Sequence, residues 1–360
     1  MSVHTEQILD MLETTRDSHD DMTFIDISSD LQEYTVTPWL LTQAGGLKVE
    51  AGGGTGHEQS LMYNNGGYSK WVDEFAERTG SIIDHLKKMK VNYKLLLDGL
   101  EYTYGEIVDN RGKERINKII KPRTRSMWLR VAKTMERDFY AEPDATDDET
   151  PWGLKYWIVK NDETGFNGGY PTGFNRIGNI DLSVVTNFKN YTDVYTAVAK
   201  DDLIKKMKKA HRQTSFYAPR SDSGVTGDSM PNKRMYLVNE DTIEGVEDIG
   251  EAQNENLGND MAPKTAGTGK MGLKMDAGDN ITFKRNPFVY ARKLDTDTTD
   301  PVYGIDMSTM QALTKKGDNM KLSEYYQHPT QRRLFLADLF HRHQTICVNR
   351  RNNFVIHKNK

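Results

Sequence analysis

Cysteine is nearly absent: Cys347 is the only one in 360 residues. That excludes an intramolecular disulfide and any multi-cysteine metal site, and it suits synthesis in a reducing compartment. Long apolar runs are missing as well. The longest aliphatic run is Leu95–Leu97, far short of the ~20 residues a membrane-spanning helix needs, so no membrane association is expected. The first residues, MSVHTEQILDMLETTRD, have no basic start and no apolar stretch, so a signal peptide is not expected either. Internal repeats and low-complexity tracts are lacking. Apolar residues make up only 36% of the chain, and mean hydropathy is −0.72. The length still allows one large domain or two to three lobes around a real core. The low apolar share suits a flat or extended subunit that buries itself against neighbours, as it suits any polar protein.

What is present begins with charge. The net charge of −4 conceals an asymmetry. Residues 1–35 hold nine acidic side chains and one arginine, a net −8; residues 111–137 hold ten basic and two acidic ones, a net +8. Two solvated surfaces would account for this. So would contact between the arm and a basic surface, either residues 111–137 or residues 200–212, or contact of the basic stretch with something anionic. Trp128 is the only aromatic in 111–137, so interleaved base-stacking platforms are lacking, and any nucleic-acid contact there would be to phosphates without sequence preference.

The pattern of elements is α+β. Residues 44–67 carry strand-like pieces around Val49 and Leu61–Tyr63 in a glycine-rich setting, which predicts a long, flexible two-stranded hairpin that needs a surface to lie on. Residues 81–108 alternate as strands. Ile116, Ile120, Met127, Val131, Met135 and Phe139 follow helical spacing, with Pro122 expected to kink or split that helix. Trp152–Lys160 reads as a buried strand, 161–180 as a Gly/Asn-rich loop, and 188–212 as a helix with lysines near its C-terminal end. Met235–Val238 is a short strand. Residues 240–275 read as a helix followed by a Gly-rich loop. Ile281–Phe283 and Val289–Leu294 read as strands, 331–346 as amphipathic, and Phe354–Ile356 as a last strand.

Candidate chemistry is thin. GTGKMG at Gly267–Gly272 has the spacing of a dinucleotide fingerprint but lies between loops, without the strand before and helix after that it requires. GGGTGH at Gly52–His57 lacks the Gly-Lys-Ser/Thr ending of a phosphate loop. His341 and His343 are two potential ligands where a stable metal site wants three or four; on a helix they would point to different faces. Cys347, between Ile346 and Val348, reads as a buried inert thiol and not as a nucleophile. No cofactor, metal or catalytic residue is expected.

The order of segments resembles the major capsid proteins of tailed bacteriophages with the Hong Kong 97 phage fold. GGLKVEAGGGTGHEQSLMYNNGGYSKW resembles the extended hairpin, or E-loop, and DNRGKERINKIIKPRTRSMWLRVAKTMERDFYA the spine helix. TPWGLKYWIVKN and GFNGGYPTGFNR are similar to the start of the axial domain, and MYLVNEDTIEG to its strand-plus-helix step. ITFKRNPFVYARKLD is similar to the strand returning through the peripheral domain, and FLADLFHRHQTICVNRRNNFVIH to a capsid-type ending with an Asn-Arg-Arg turn. The resemblance implies an arm over 1–42, an E-loop hairpin over 43–80, a peripheral domain over 81–150 with return strands 276–312, and an axial domain over 151–275 with 313–360. It implies a non-enzymatic shell subunit of a virion, made in the bacterial host cytoplasm, that assembles with itself into hexamers and pentamers around double-stranded DNA. The E-loop contact would be carried by Gly52, Gly53, Gly54, Tyr63, Gly66, Gly67 and Trp71, and a basic spine face by Arg111, Arg115, Lys118, Arg123, Arg125 and Arg130. A portal protein and a decoration protein are implied partners. Residues 1–42 are too short for a built-in scaffolding extension, which implies a separate scaffolding protein. Two alternatives are an encapsulin-like nanocompartment shell and a soluble α+β hydrolase.

Overall fold

The computed structural model describes residues 34–41, 47–50, 54–66, 71–74, 83–109, 113–215, 234–256, 273–275 and 281–359. Along the chain come α1 (Thr37–Leu41), β1 (Leu47–Glu50), β2 (Gly56–Met62), β3 (Leu86–Asn92), β4 (Lys94–Thr103), α2 (Tyr104–Asp109) and α3 (Lys113–Tyr140). Then follow α4 (Leu154–Trp157), β5 (Gly165–Gly168), β6 (Asn190–Tyr195), α5 (Lys205–Thr214), β7 (Arg234–Val238), α6 (Glu240–Asn256), β8 (Leu273–Met275), β9 (Ile281–Phe283) and β10 (Asn286–Tyr290). The last strands are β11 (Val302–Asp306), β12 (Met310–Lys315), β13 (Lys321–Leu322), β14 (Tyr326–Gln327), β15 (Leu334–Cys347) and β16 (Phe354–Lys358).

Two sheets organise these elements. In the six-stranded sheet, β15 pairs with β4 along one edge and with β12, β13 and β14 along the other, and β1 joins β12 in parallel. The eight-stranded sheet runs β5-β6-β16-β11-β7-β10-β9-β8. The first sheet is long and narrow: β15 has fourteen residues, about 45 Å of strand, and α3 has 28 residues, about 42 Å of helix. Ile120, Met127, Val131, Met135 and Phe139 bury one stripe of α3, as their spacing predicts. The helix continues through Pro122 and does not end there.

Several expectations are corrected. Trp152–Lys160 contains the helical turn α4, because Trp152 and Tyr156 stand one turn apart and stack at 4.3 Å. Residues 188–212 begin as strand β6, and helix starts only at Lys200. β6 lies between β5 and β16 and is buried on both faces, so it shows no alternation. Within the amphipathic stretch 331–346 the strand β15 begins at Leu334, and its burial alternates as far as His343 and is complete from there to Cys347. The predicted hairpin partners are also different. The Val49 piece pairs with β12, Val49 opposite Thr314, and β2 pairs with β3 instead. β9 to β11 lie in the eight-stranded sheet with β16, and β12 to β15 lie in the six-stranded sheet with β4. β15 is long enough to span the narrow sheet, and the following turn carries β16 back between β6 and β11.

That turn is built on Asn349–Arg350–Arg351. Asn349 accepts from the Arg351 amide, and Arg350 is fully buried. Its Nε donates to Trp157 O at 2.5 Å and its Nη1 to Phe188 O at 3.0 Å. Its Nη2 reaches Asn190 Oδ1 at 2.8 Å and Gly169 O at 3.2 Å. Burial pushes the guanidinium down to about 10. A Cβ at Gly168 would fall 1.9 Å from Asn190 Oδ1, so glycine there is what admits the close approach. One side chain thus ties α4, the Gly/Asn-rich loop and β6 to the end of β15.

His341 and His343 lie on the same face of β15, since strand side chains alternate. Their rings stack at 5.5 Å, both are buried, and they line a cavity of about 220 Å³ with Lys94 of β4, Arg137 and Asp138 of α3, and Glu149 and Trp152. Burial pushes His341 down to about 4; burial and the neighbouring His341 push His343 down to about 3. The unfolded chain, with histidines near 6.5, therefore binds more protons than the folded one below that pH. Stability falls as pH drops from about 6.5 toward 4. The expected result is a Tm that declines over this window, and less steeply in His341→Gln/His343→Gln. Equal slopes would show that other groups carry the acid sensitivity.

Candidate assembly surface

The β2–β3 ribbon has two unlike ends. Its base is built into the body: His57, Met89 and Val91 are buried, the Lys90 amide donates to Gly178 O at 2.9 Å, and the Tyr93 amide donates to Thr55 O at 3.0 Å. Glu50, at the end of β1, receives the Tyr93 hydroxyl at 2.5 Å and stands 2.6 Å from His57 Nδ1. Burial alone would raise this carboxyl, but the hydrogen bonds from Tyr93 and His57 hold it below its usual value. Gly54, at φ +123°, turns the chain into β2 in a conformation that favours glycine.

The outer end has no such support. Met62 and Leu86 are directly opposite each other and 68% and 57% exposed. Tyr63 is half-buried, its amide donating to His85 O at 3.1 Å, and the Gly66 amide donates to Asn64 Oδ1 at 2.8 Å. Trp71 and Val72 are exposed. Gly52, Gly53 and Gly67 lie outside the described residues. An isolated two-stranded ribbon with an apolar end is marginal in water.

Two arginines of the expected basic face of α3 are engaged within the subunit. Arg123 holds Glu106 with two hydrogen bonds, 2.6 and 3.1 Å, donates to Glu101 O at 2.7 Å and lies over the Tyr102 ring. Arg123 is the main cause holding the Glu106 carboxyl down to about 2. Arg130 holds Asp98 at 2.8 Å and donates to Gly99 O at 3.1 Å. Among the described residues β4 pairs with β15 alone, so the Gly99 and Glu101 carbonyls stand on its open edge. The two arginines cover that edge, a common protection of edge strands against pairing with another chain. The acids of β4 and α2 were the available signal for this, but their proximity to the arginines is set by tertiary packing. Arg125 is exposed; Arg115 and Lys118 are placed only as helix backbone, and Arg111 lies outside the described residues.

Residues 1–33 of the acidic arm also lie outside the described residues. At the first described residues the contact is with an acid. Glu136, one of two acids in the basic stretch, is 1% exposed and accepts from the amides of Thr35, Val36 and Thr37 and from Thr37 Oγ1, at 2.7–3.1 Å. Glu136→Ala leaves these buried donors without their acceptor, at about 1–3 kcal/mol for each one that stays buried. The expected outcome is a lower Tm and proteolytic cleavage near residues 34–41; unchanged protection would refute the anchoring role.

Burial pushes the Cys347 thiol up to about 12, and its sulfur lies 3.3 Å from Asn353 Nδ2. Gly267–Gly272 lies outside the described residues. Among the described residues no three His, Cys, Asp or Glu side chains are grouped to hold a metal, and no helix is long and apolar enough to cross a membrane.

This α+β arrangement recurs in solved capsid structures. The chain is similar to that of the cyanophage A-1(L) capsid asymmetric unit, at 14% identity and TM-score 0.58, over 94% of this chain and 96% of that one. It is similar to the chain of the capsid of the native GTA particle, at 12% identity and TM-score 0.52, over 96% of both chains. The capsid of Myoviridae phage XM1 matches at 11% identity and TM-score 0.53, over 95% of this chain and 100% of that one. No family model and no curated protein matches the sequence. The likeness is one of fold, and it covers nearly the whole chain.

Proposed function

We propose that this chain is the major capsid protein of a tailed bacteriophage, with the Hong Kong 97-type fold, and that it builds an icosahedral shell of hexamers and pentamers around double-stranded DNA. The observation that carries the reading is end-to-end coverage: capsid chains superpose on 94–96% of it with TM-scores of 0.52–0.58, leaving no sizeable segment over for another activity. The exposed outer end of the β2–β3 ribbon supports it, because a neighbouring subunit would supply the surface the ribbon lacks.

In this reading β2 and β3 are the E-loop and α3 is the spine helix of a peripheral domain completed by β4 and β12 to β15. The axial domain runs from α4 to β11 and is closed by β16. The subunit is structural and not an enzyme. Its partners are its own copies, a separate scaffolding protein, a portal and a decoration protein. DNA is met by phosphate contact, to which Arg123 and Arg130 contribute little because Glu106 and Asp98 already occupy them. The test is assembly. Light scattering of the purified protein is expected to find particles of hundreds of subunits, and a species that stays monomeric at every concentration, with or without a scaffolding protein, would contradict the reading.

A further inference from the structure

Helices α5 and α6 pack against the eight-stranded sheet in one apolar cluster, and α5 reaches across it, Thr214 accepting from Arg234 of β7 at 2.7 Å and the His211 ring lying 6.5 Å from that of Phe283 in β9. α5 lies over β6 and β16, and α6 lies by β10 and β8. α5 buries Met207, Ala210 and Thr214, and α6 buries Thr242 and Val246. What each helix leaves outside has one sign. α5, KKMKKAHRQT, contains no acid, and Lys205, Lys209 and Arg212 are exposed along one ridge at i, i+4 and i+7. α6, EDTIEGVEDIGEAQNEN, contains no basic residue, and Glu240, Glu244 and Asp248 are exposed at i, i+4 and i+8, with Asp241 beside them.

Among the described residues neither ridge is neutralised by an ion pair. Among the described residues, no side-chain ion pair involves Lys205, Lys209, Arg212, Glu240, Asp241, Glu244 or Asp248; Lys206 alone of the α5 basics pairs, with Asp202. The β9–β10 turn extends the positive flank. Its central residues are Lys284 and Arg285, both at positive φ (50° and 68°). Such two-residue turns favour Asn-Gly, and strained residues persist where function retains them. The ammonium of Lys284 is pushed down by burial and by Arg212, Lys208 and Arg234, so the flank is a field of like charges.

We propose that the α5 ridge of one subunit docks against the α6 ridge of the next subunit in a head-to-tail ring. The inference rests on the shell reading and specifies the contact that selects its geometry. A two-fold contact through either flank would place like charges together, which is penalised. A heterologous contact places opposite charges together, and heterologous contacts close into rings.

The experiment is a charge swap. Lys205→Glu/Lys209→Glu/Arg212→Glu and Glu240→Lys/Glu244→Lys/Asp248→Lys are each expected to lower particle yield by about tenfold or more, as like-charge juxtaposition costs. Combining the two sets is expected to restore most of the yield. Monomer Tm, measured for every variant, separates misfolding from lost docking. Either set assembling like wild type, or a folded combined variant without rescue, would overturn the proposal. Independently of any variant, zero-length carbodiimide treatment of particles mixed from ¹⁴N- and ¹⁵N-labelled subunits is expected to link Lys205 or Lys209 to Glu240, Glu244 or Asp248 of another copy. Links to acids of residues 1–33 instead, or protection of these lysines by packaged DNA, would also overturn it. Wild-type protein that never assembles would sink the shell reading itself.

Discussion

Arg350→Ala is expected to cost the subunit several kcal/mol, about 1–3 kcal/mol for each buried carbonyl left without its donor. Arg350 lies in the six-residue turn between β15 and β16, yet it serves elements about 160 to 190 positions away in the chain. Without it, Trp157 O, Phe188 O and Gly169 O lose a donor, and each buried carbonyl left unsatisfied carries a penalty. Asn190 also loses the group that orients it, although its side chain still bridges Val159 through both its oxygen and its nitrogen. Arg350→Lys is expected to recover only a minor part, because an ammonium cannot reproduce the planar fork that addresses carbonyls on three segments. Urea unfolding of the unassembled subunit measures both. A loss below about 1 kcal/mol for the alanine variant would mean that water replaces the guanidinium and that the turn is not a structural hub.

The second large effect is on assembly alone. Residues 61–87 can be replaced by Asn-Gly, which joins Ser60 to Lys88. These residues are directly opposite in the ribbon, and Asn-Gly suits a two-residue hairpin turn. The variant keeps His57, Met89, Val91 and the Glu50–Tyr93–His57 cluster at the base. It loses the Met62–Leu86 pair, Tyr63, Gly66 and Trp71. Its monomer Tm is expected to stay within a few degrees of wild type, since none of the described residues in the removed portion is buried in the subunit. Closed shells are expected to disappear, because a weak contact repeated in every subunit is multiplied over the particle. Normal shells from this variant would remove the ribbon from the assembly surface.

Parts of this architecture are legible in the sequence for identifiable reasons. The stripe of α3 shows in Ile120, Met127, Val131, Met135 and Phe139 because one face of a long helix is apolar and the other charged. The Asn349–Arg350–Arg351 turn and the strands β7 and β16 are marked by local chemistry. β15 is less clear, because its buried face includes His341 and His343 while its other face carries Leu334, Leu336 and Phe340, so two periods fit the same residues. β6 is hidden by Asn190, Thr192 and Asp193, which are polar but buried. The partner of β2 could not be read locally. The glycine-flanked Val49 piece lies nearer in sequence than β3, yet its hydrogen bonds go to β12, more than 260 residues away. The placement of Arg123 and Arg130 over the edge of β4 is likewise a product of packing, and a charge count alone assigns them to a free surface.

The most direct measurement is negative-stain electron microscopy of the fast-sedimenting fraction from bacteria that express this chain together with a scaffolding protein. The account predicts closed or tubular particles walled by rings of five and six subunits, with this chain as the principal protein in the wall. A chain found only as a small soluble species, with no ordered assembly under these conditions, would contradict it.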